Sequence, residues 1–305
     1  MTFFRSLFTR SYESNIPKFF LNHALYNFML FMPIWVIFLQ QKHHLTLTQV
    51  TFLDFAFWIT MAITEVPTGA VADTIGRKHS IFIGALLSIV SVTLFALAPT
   101  YPLLLFANSL WPIAITFISG ADVAFFYDSL RVLGRESEYS RMRGRVLIVE
   151  VASIGISSVL GGLLTLWEPT APFLLYVGIL GLMLLVTFSF KEPPRELDAK
   201  SGQHLSYRET LSQAFGAIRQ HKTLQWALLY ANLLPLAGAA VNITFIQPHA
   251  VAIGIPIAAL GFVTLGINLA RMAGSGSTHW LVEKLGERGW LGAAAGMVVV
   301  GVVGL

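Results

Sequence analysis

Eight stretches of this chain hold about 20 largely apolar residues each, at roughly 17–40, 49–72, 80–98, 103–127, 146–166, 172–190, 223–246 and 256–277. A ninth begins near Trp290 and runs to Leu305. A bilayer core about 30 Å thick is crossed by about 20 residues rising about 1.5 Å each. Inside hydrocarbon, backbone polar groups must pair within the segment or around a closed barrel. The ten-residue alternation of a barrel strand is absent, so the segments predict an all-α polytopic membrane protein. Only 12% of the 305 residues are charged and 55% are apolar, against about a quarter charged in soluble domains. That balance excludes a soluble enzyme, a nucleic-acid binder and a disordered chain. With no cysteine, no disulfide or iron–sulfur framework exists. The first span is too long for a signal-peptide core and lacks a small-residue cleavage site, so it reads as an uncleaved anchor.

Charge sets orientation. Of twenty Lys and Arg, eighteen fall at the N-terminus or in the loops after spans two, four, six and eight; Lys42 stands alone on the other side and Arg271 lies within span eight. This positive-inside bias places the N-terminus in the cytoplasm and the protein in the cell's inner or plasma membrane. The opposite loops (QKHHLTLT, PTY, WEPTA, QPHAVAIG) are short and leave no ectodomain. One long charged connection with Pro193 and Pro194 divides the chain into an N-terminal six-helix bundle (1–191), a cytoplasmic linker (192–222) and a partial second bundle (223–305). In the linker, Ser206 and Glu209 have capping-box spacing, and Leu211, Phe215 and Ile218 follow on one helical face. This segment is expected to be an amphipathic surface helix, or a stiff spacer.

Six ionisable residues lie in or beside spans: Asp54, Glu65, Asp122, Asp128, Glu150 and Arg271. A charge at mid-membrane costs about 2.5–3.5 kcal/mol on insertion scales, so each requires a partner or a water-filled cavity. Counted along the helix rise, Glu65 lies about 12 Å, Asp122 about 9 Å and Glu150 about 7–8 Å from the cytoplasmic ends of their spans. If spans two, four and five face one cavity, these three carboxylates are candidates for proton coupling. The alternative is pairing with a cytoplasmic Arg, with Arg145 best placed for Asp122. Asp73 sits at a helix C-terminus, where the dipole disfavours a carboxylate. Arg77 and Lys78, or the end of span four near Asp128 and Arg131, are its expected partners. Gly76 permits a tight helix exit, and Gly69 permits close approach of a neighbouring helix.

GAVADTIGRK (69–78), lying between spans two and three, resembles the G-x-x-x-D-x-x-G-R-K loop of the major facilitator superfamily. The preceding EVPTG (65–69) and the GADVAFFYDSL of 120–130 are similar to a bacterial branch of that superfamily. Glu283-Lys-Leu-Gly286-Glu-Arg288 repeats the acid-x-x-Gly-x-Arg pattern 210 residues after Asp73, as two six-helix halves require. The resemblance implies alternating access about a central site and twelve spans, of which ten to twelve are missing here and the ninth is cut, so the chain is expected to be C-terminally truncated. It also implies a latch in which Gly69, Asp73, Gly76, Arg77, Lys78 and Asp128 close the cytoplasmic side against span eleven. Two departures stand out against the family's proton-coupled drug exporters: residues 108–120 carry no Arg, and the span-five motif keeps only its glycine pair, Gly161-Gly162.

Spans one, four and seven line the family's cavity, which makes Tyr26, Asn27, Trp35, Asn108, Trp111, Asn232 and Asn242, with Arg271, the expected solute-lining residues. The expected function is secondary transport of a small organic solute, amphiphilic or drug-like and moved by efflux, with a proton as coupling ion. Uptake of a small metabolite and a non-transporting membrane scaffold are the alternatives. The histidines form no H-E-x-x-H pair, GSGST at 274–278 is no nucleophile elbow, and no channel filter is visible. The chain is therefore expected to have no catalytic residue, no metal and no cofactor. Its expected partners are a small-molecule solute, membrane lipid and a proton, without nucleic acid, and it is expected to act as a monomer.

Overall fold

A computed structural model describes residues 9–194, 219–220, 222, 225–226 and 244–303. The described residues up to Pro194 pack with Ala250–Met272 into one compact unit; those of 219–249 and from Ala273 onward belong to a second. The helices of the first unit are α1 (Tyr12–Tyr26), α2 (Trp35–Lys42), α3 (Leu47–Ile75), α4 (Arg77–Leu97), α5 (Tyr101–Val132), α6 (Tyr139–Leu164) and α7 (Ala171–Phe188). Two further helices, α8 (Ile246–Ala252) and α9 (Leu260–Val303), follow. Among the described residues five helices, from α3 to α7, are long and apolar enough to cross a membrane, as all-α polytopic architecture requires.

Local chemistry sets the boundaries. Ser11 caps α1, exchanging bonds with Ser14, and Thr46 and Gln49 form the same reciprocal box at the start of α3. Gly76, at φ 111°, separates α3 from α4, a conformation that costs a side-chain-bearing residue about 1–3 kcal/mol. Gly286, the matching position of the sequence repeat, also has positive φ (69°), and α9 departs from helical geometry there. The repeated glycine thus performs the same backbone task twice.

The first span differs from expectation. The sequence reads as one helix over 17–40, but α1 ends at Tyr26 and the chain resumes through a short 3-10 turn, Met32–Ile34, before α2. Pro33 lies in that turn and cannot donate the backbone bond that a continuous helix needs. Groups freed by the break are satisfied locally: the Tyr176 hydroxyl donates to the Tyr26 carbonyl (2.6 Å) and Asn27 Nδ2 to the His23 carbonyl (2.9 Å). Such interruptions persist in a membrane only where neighbouring groups re-satisfy the backbone. α6 supplies the space, since a Cβ on Gly161 would overlap the Leu30 carbonyl.

α5 packs against α4 and α3, α7 against α4 and α1, and α1 also touches α5 and α6. Phe19, Phe125, Phe126, Met142, Val146 and Phe190 form a buried core at the end carrying the cationic loops. The close approach expected at Gly69 is enforced from the opposite helix: a Cβ on Gly120 of α5 would stand 3.3 Å from the Gly69 Cα.

Candidate functional site

The face of α5 that presents Ile115, Ile118, Ser119 and Asp122, spaced by three, four and seven residues, meets Asn22, His23, Tyr26 and Asn27 of α1 and Arg143 and Glu150 of α6. Together they enclose a cavity of about 160 Å³. His23 is buried at its centre. Its Nδ1 lies 2.7 Å from Glu150 Oε1 and its Nε2 lies 3.4 Å from Asp122 Oδ2. Glu150 also accepts from Arg143 Nη1 at 3.1 Å, and Asp122 Oδ1 accepts from the Val123 amide at 2.6 Å. The result is a chain of ionisable groups, Asp122–His23–Glu150–Arg143, across three helices. An imidazole can donate to carboxylates at both nitrogens only with two N–H groups; in the neutral form one nitrogen is an acceptor facing an acceptor. The hydrogens on the two ring nitrogens therefore set which carboxylate His23 can donate to.

Asp122 and Glu150 of the three candidate carboxylates share this cavity; Glu65 does not line it and stands exposed on α3. His23 supplies the contact to Asp122 for which the sequence favours Arg145, and Arg143 reaches Glu150. Arg143 and Glu150 are seven residues apart, two helical turns on one face, whereas Arg145 is rotated well away from Glu150. His23 was missed because a neutral-range side chain escapes a search for formal charges. The available signal was a histidine inside an apolar span.

A second polar assembly lies at the α3–α4 turn. The Arg77 guanidinium pairs with Asp128 at the end of α5, and Nη1 donates to the Ala124 carbonyl at 2.9 Å. Asp73 is exposed in the last turn of α3, and Lys78 is half-buried. Glu192, unremarked in the sequence, caps α4: its two oxygens accept from the Arg77 and Lys78 amides, each at 2.8 Å. A carboxylate at a helix N-terminus meets unpaired N–H groups and the positive dipole end. Asn15 ties in the same segment, donating to Ser129 Oγ (3.0 Å) and to the Lys191 carbonyl (2.7 Å) while accepting from the Lys191 amide (3.0 Å). The turn, the end of α5, the start of α1 and the exit of α7 are thus fastened together.

Of the expected solute-lining residues, Tyr26 and Asn27 line the cavity. Trp35, Asn108 and Trp111 are buried between helices beside a separate small cavity that all three line: Trp35 stacks on Phe95 at 4.3 Å, Trp111 meets Phe31 at 5.3 Å, and Asn108 Nδ2 donates to the Leu53 carbonyl at 2.7 Å. Asn232 and Asn242, and the linker's capping box, lie outside the described residues, as does the Arg271 side chain. Among the described residues no cluster could hold a metal ion. A roomier cavity of about 610 Å³ near Ile37, Phe38 and Pro256 is mainly apolar; the paired ionisable groups are in the smaller one.

The described helices form an all-α membrane bundle with ionisable groups paired inside its spans. The sequence matches the Major Facilitator Superfamily model over residues 21–305, and the chain belongs to that family. It is 27% identical over 175 residues to an uncharacterized MFS-type transporter, YxaM, of Bacillus subtilis strain 168, covering 57% of this chain and 42% of that protein. The chain therefore spans less than half the length of that curated relative. Among solved structures, the nucleoside transporter NupG superposes with a TM-score of 0.73 at 11% identity, over 95% of this chain and 70% of NupG. A bacterial homologue of the lysosomal transporter Spinster superposes at 0.70 and 17% identity, over 92% and 64%. A D-xylose–proton symporter gives 0.64 at 14% identity, over 90% and 70%. At these identities the likeness is one of fold.

Proposed function

We propose that this chain is part of a secondary transporter that moves a small organic solute across the cytoplasmic membrane by alternating access, coupled to protons at the Asp122–His23–Glu150 cluster. One observation carries the reading: an imidazole buried between two carboxylates, 2.7 and 3.4 Å away, in a water-sized cavity inside the spans. Buried ionisable residues facing a cavity mark ion and proton pathways in membrane proteins. At about 160 Å³ the cavity is smaller than the 300–1,000 Å³ usual for an organic ligand. It suits a proton and its waters, with Tyr26 and Asn27 facing the solute. Gly69, Asp73, Gly76, Arg77, Lys78 and Asp128 then form the cytoplasmic latch, which the Arg77–Asp128 pair supports. The positive-inside bias supports a cytoplasmic N-terminus. Proton symport by a protein of this fold, the D-xylose–proton symporter, favours the same coupling.

The test uses the complete transporter in vesicles, with nucleosides, pentoses and lipophilic cations as solutes and an imposed pH gradient. Asp122→Asn is expected to abolish gradient-driven movement while solute exchange at equal pH continues. Gradient-driven transport that survives Asp122→Asn at the wild-type rate would overturn the coupling assignment.

A further inference from the structure

At the end of α7 the exposed ring of Phe188 lies against two cations, with Arg10 Cζ 5.2 Å and Lys78 Nζ 5.4 Å from its centroid. Neither side chain forms an ion pair with a carboxylate among the described residues. Behind them Lys18 is fully buried, and among the described residues its ammonium donates to the backbone carbonyls of Thr9 and Ser189, each at 2.7 Å. The three charges are near enough to act on one another. Glu192 acts on Lys78, but both its oxygens are committed to the amides that open α4. The patch therefore carries an excess of positive charge beside an aromatic ring.

Leading away from it is an apolar track. Leu182, Leu185 and Phe188 recur every three residues along α7 and are exposed, as are Leu86 and Val90 on α4, which packs beside α7. Phe82 of α4 joins the two rows, its ring 6.4 Å from that of Phe188. An exposed apolar stripe that ends in an excess of cations among the described residues has the two-part chemistry that receives a phospholipid.

We propose that this is a binding site for one anionic phospholipid, with an acyl chain along the α4–α7 stripe and its phosphate between Arg10 and Lys78. Basic pockets between spans at the cytoplasmic side take anionic headgroups in this way. A zwitterionic lipid presents its own ammonium to the same cations and gains less. The bound phosphate sits next to the Gly76–Lys78 turn, so occupancy steadies the end of α4 that carries Arg77. This inference stands apart from the solute and proton reading.

The test is native mass spectrometry of the detergent-purified chain titrated with dioleoyl-phosphatidylglycerol or dioleoyl-phosphatidylcholine. Phosphatidylglycerol is expected to bind at least tenfold more tightly. Each cation near a membrane surface contributes enough that Arg10→Gln alone weakens phosphatidylglycerol about fivefold, and Arg10→Gln/Lys78→Gln about thirtyfold, while phosphatidylcholine is unaffected. Arg10 is exposed, so the single variant keeps the test open if the double one fails to fold. Equal affinity for the two lipids, or a preference that survives both substitutions, would overturn the proposal. So would full displacement of phosphatidylglycerol by millimolar inorganic phosphate, which would mark a soluble-anion site.

Discussion

His23 Nδ1 and Glu150 Oε1 stand 2.7 Å apart although 127 residues separate them in the chain. The bond joins α1 to α6, and the opposite nitrogen joins α1 to Asp122 of α5. A single side chain therefore contacts carboxylates from two other helices.

Removing His23 leaves the buried Asp122 and the half-buried Glu150 without their shared partner. Breaking a buried pair costs about 3–5 kcal/mol because a charge is left uncompensated. His23→Phe is expected to lower stability by about 3 kcal/mol in denaturant unfolding of the detergent-solubilised chain. Adding Asp122→Asn should recover part of that loss, since neighbours in one network are coupled. Strictly additive losses would show that the two residues are not energetically linked.

The Arg77–Asp128 pair gives a conformational prediction. Asp128 is buried and its partner's side chain is only 22% exposed, so the attraction is weakly screened. In the complete transporter, Asp128→Asn is expected to shift the population toward a state open at the latch end. These 305 residues contain no cysteine, so Ser119→Cys, with any cysteine elsewhere in the complete transporter replaced, gives a single probe in the cavity. Its labelling by a membrane-impermeant maleimide from the latch side should accelerate about fivefold or more, as expected for a pair contributing about 1 kcal/mol to the closed state.

Two glycines separate packing from helix propensity. A Cβ on Gly161 would run into the Leu30 carbonyl, whereas one on Gly178 meets nothing within 4 Å. Gly161→Ala is expected to cost about 1–3 kcal/mol through overpacking against backbone. Gly178→Ala should be neutral or gain up to about 1 kcal/mol. Thermal midpoints of the two variants, measured side by side, decide the matter.

Acid should weaken the α2–α3 junction. His43 caps α2, packs its ring edge against Phe38 at 5.3 Å, and has a buried Nε2 without a hydrogen-bond partner among the described residues. Burial, and then the Lys42 and His44 charges, hold its pKa below the ordinary 6.5. The folded state thus binds this proton less readily than the unfolded chain. Its stability contribution is whole above pH 6.5 and is lost as pH falls through and below that value. His43→Gln should flatten the fall in thermal midpoint measured roughly one unit either side of 6.5. An unchanged slope would exclude His43 as the source.

The spans from α3 to α7 were legible because each needs only a local property, about 20 apolar residues in a row. The α3–α4 turn was legible for the same reason, since Gly76 must supply a positive φ wherever the rest of the chain lies. Its echo at Gly286 was visible as a spacing of 210 residues.

Tertiary structure alone decided which of these polar residues meet. Hydropathy counts apolar length and is blind to the break after Tyr26, which survives because Tyr176, from another helix, satisfies the freed carbonyl. Depth along a helix put Glu65, Asp122 and Glu150 at one level, but facing depends on helix rotation, so Glu65 is separated from the other two. Trp35, Asn108 and Trp111 have the residue types of a binding site, and packing between helices placed them around a small cavity apart from the one that holds His23. Composition and period determine what can cross a bilayer; helix rotation and contacts made over more than a hundred residues determine that His23 stands between two carboxylates and that Glu192 caps α4.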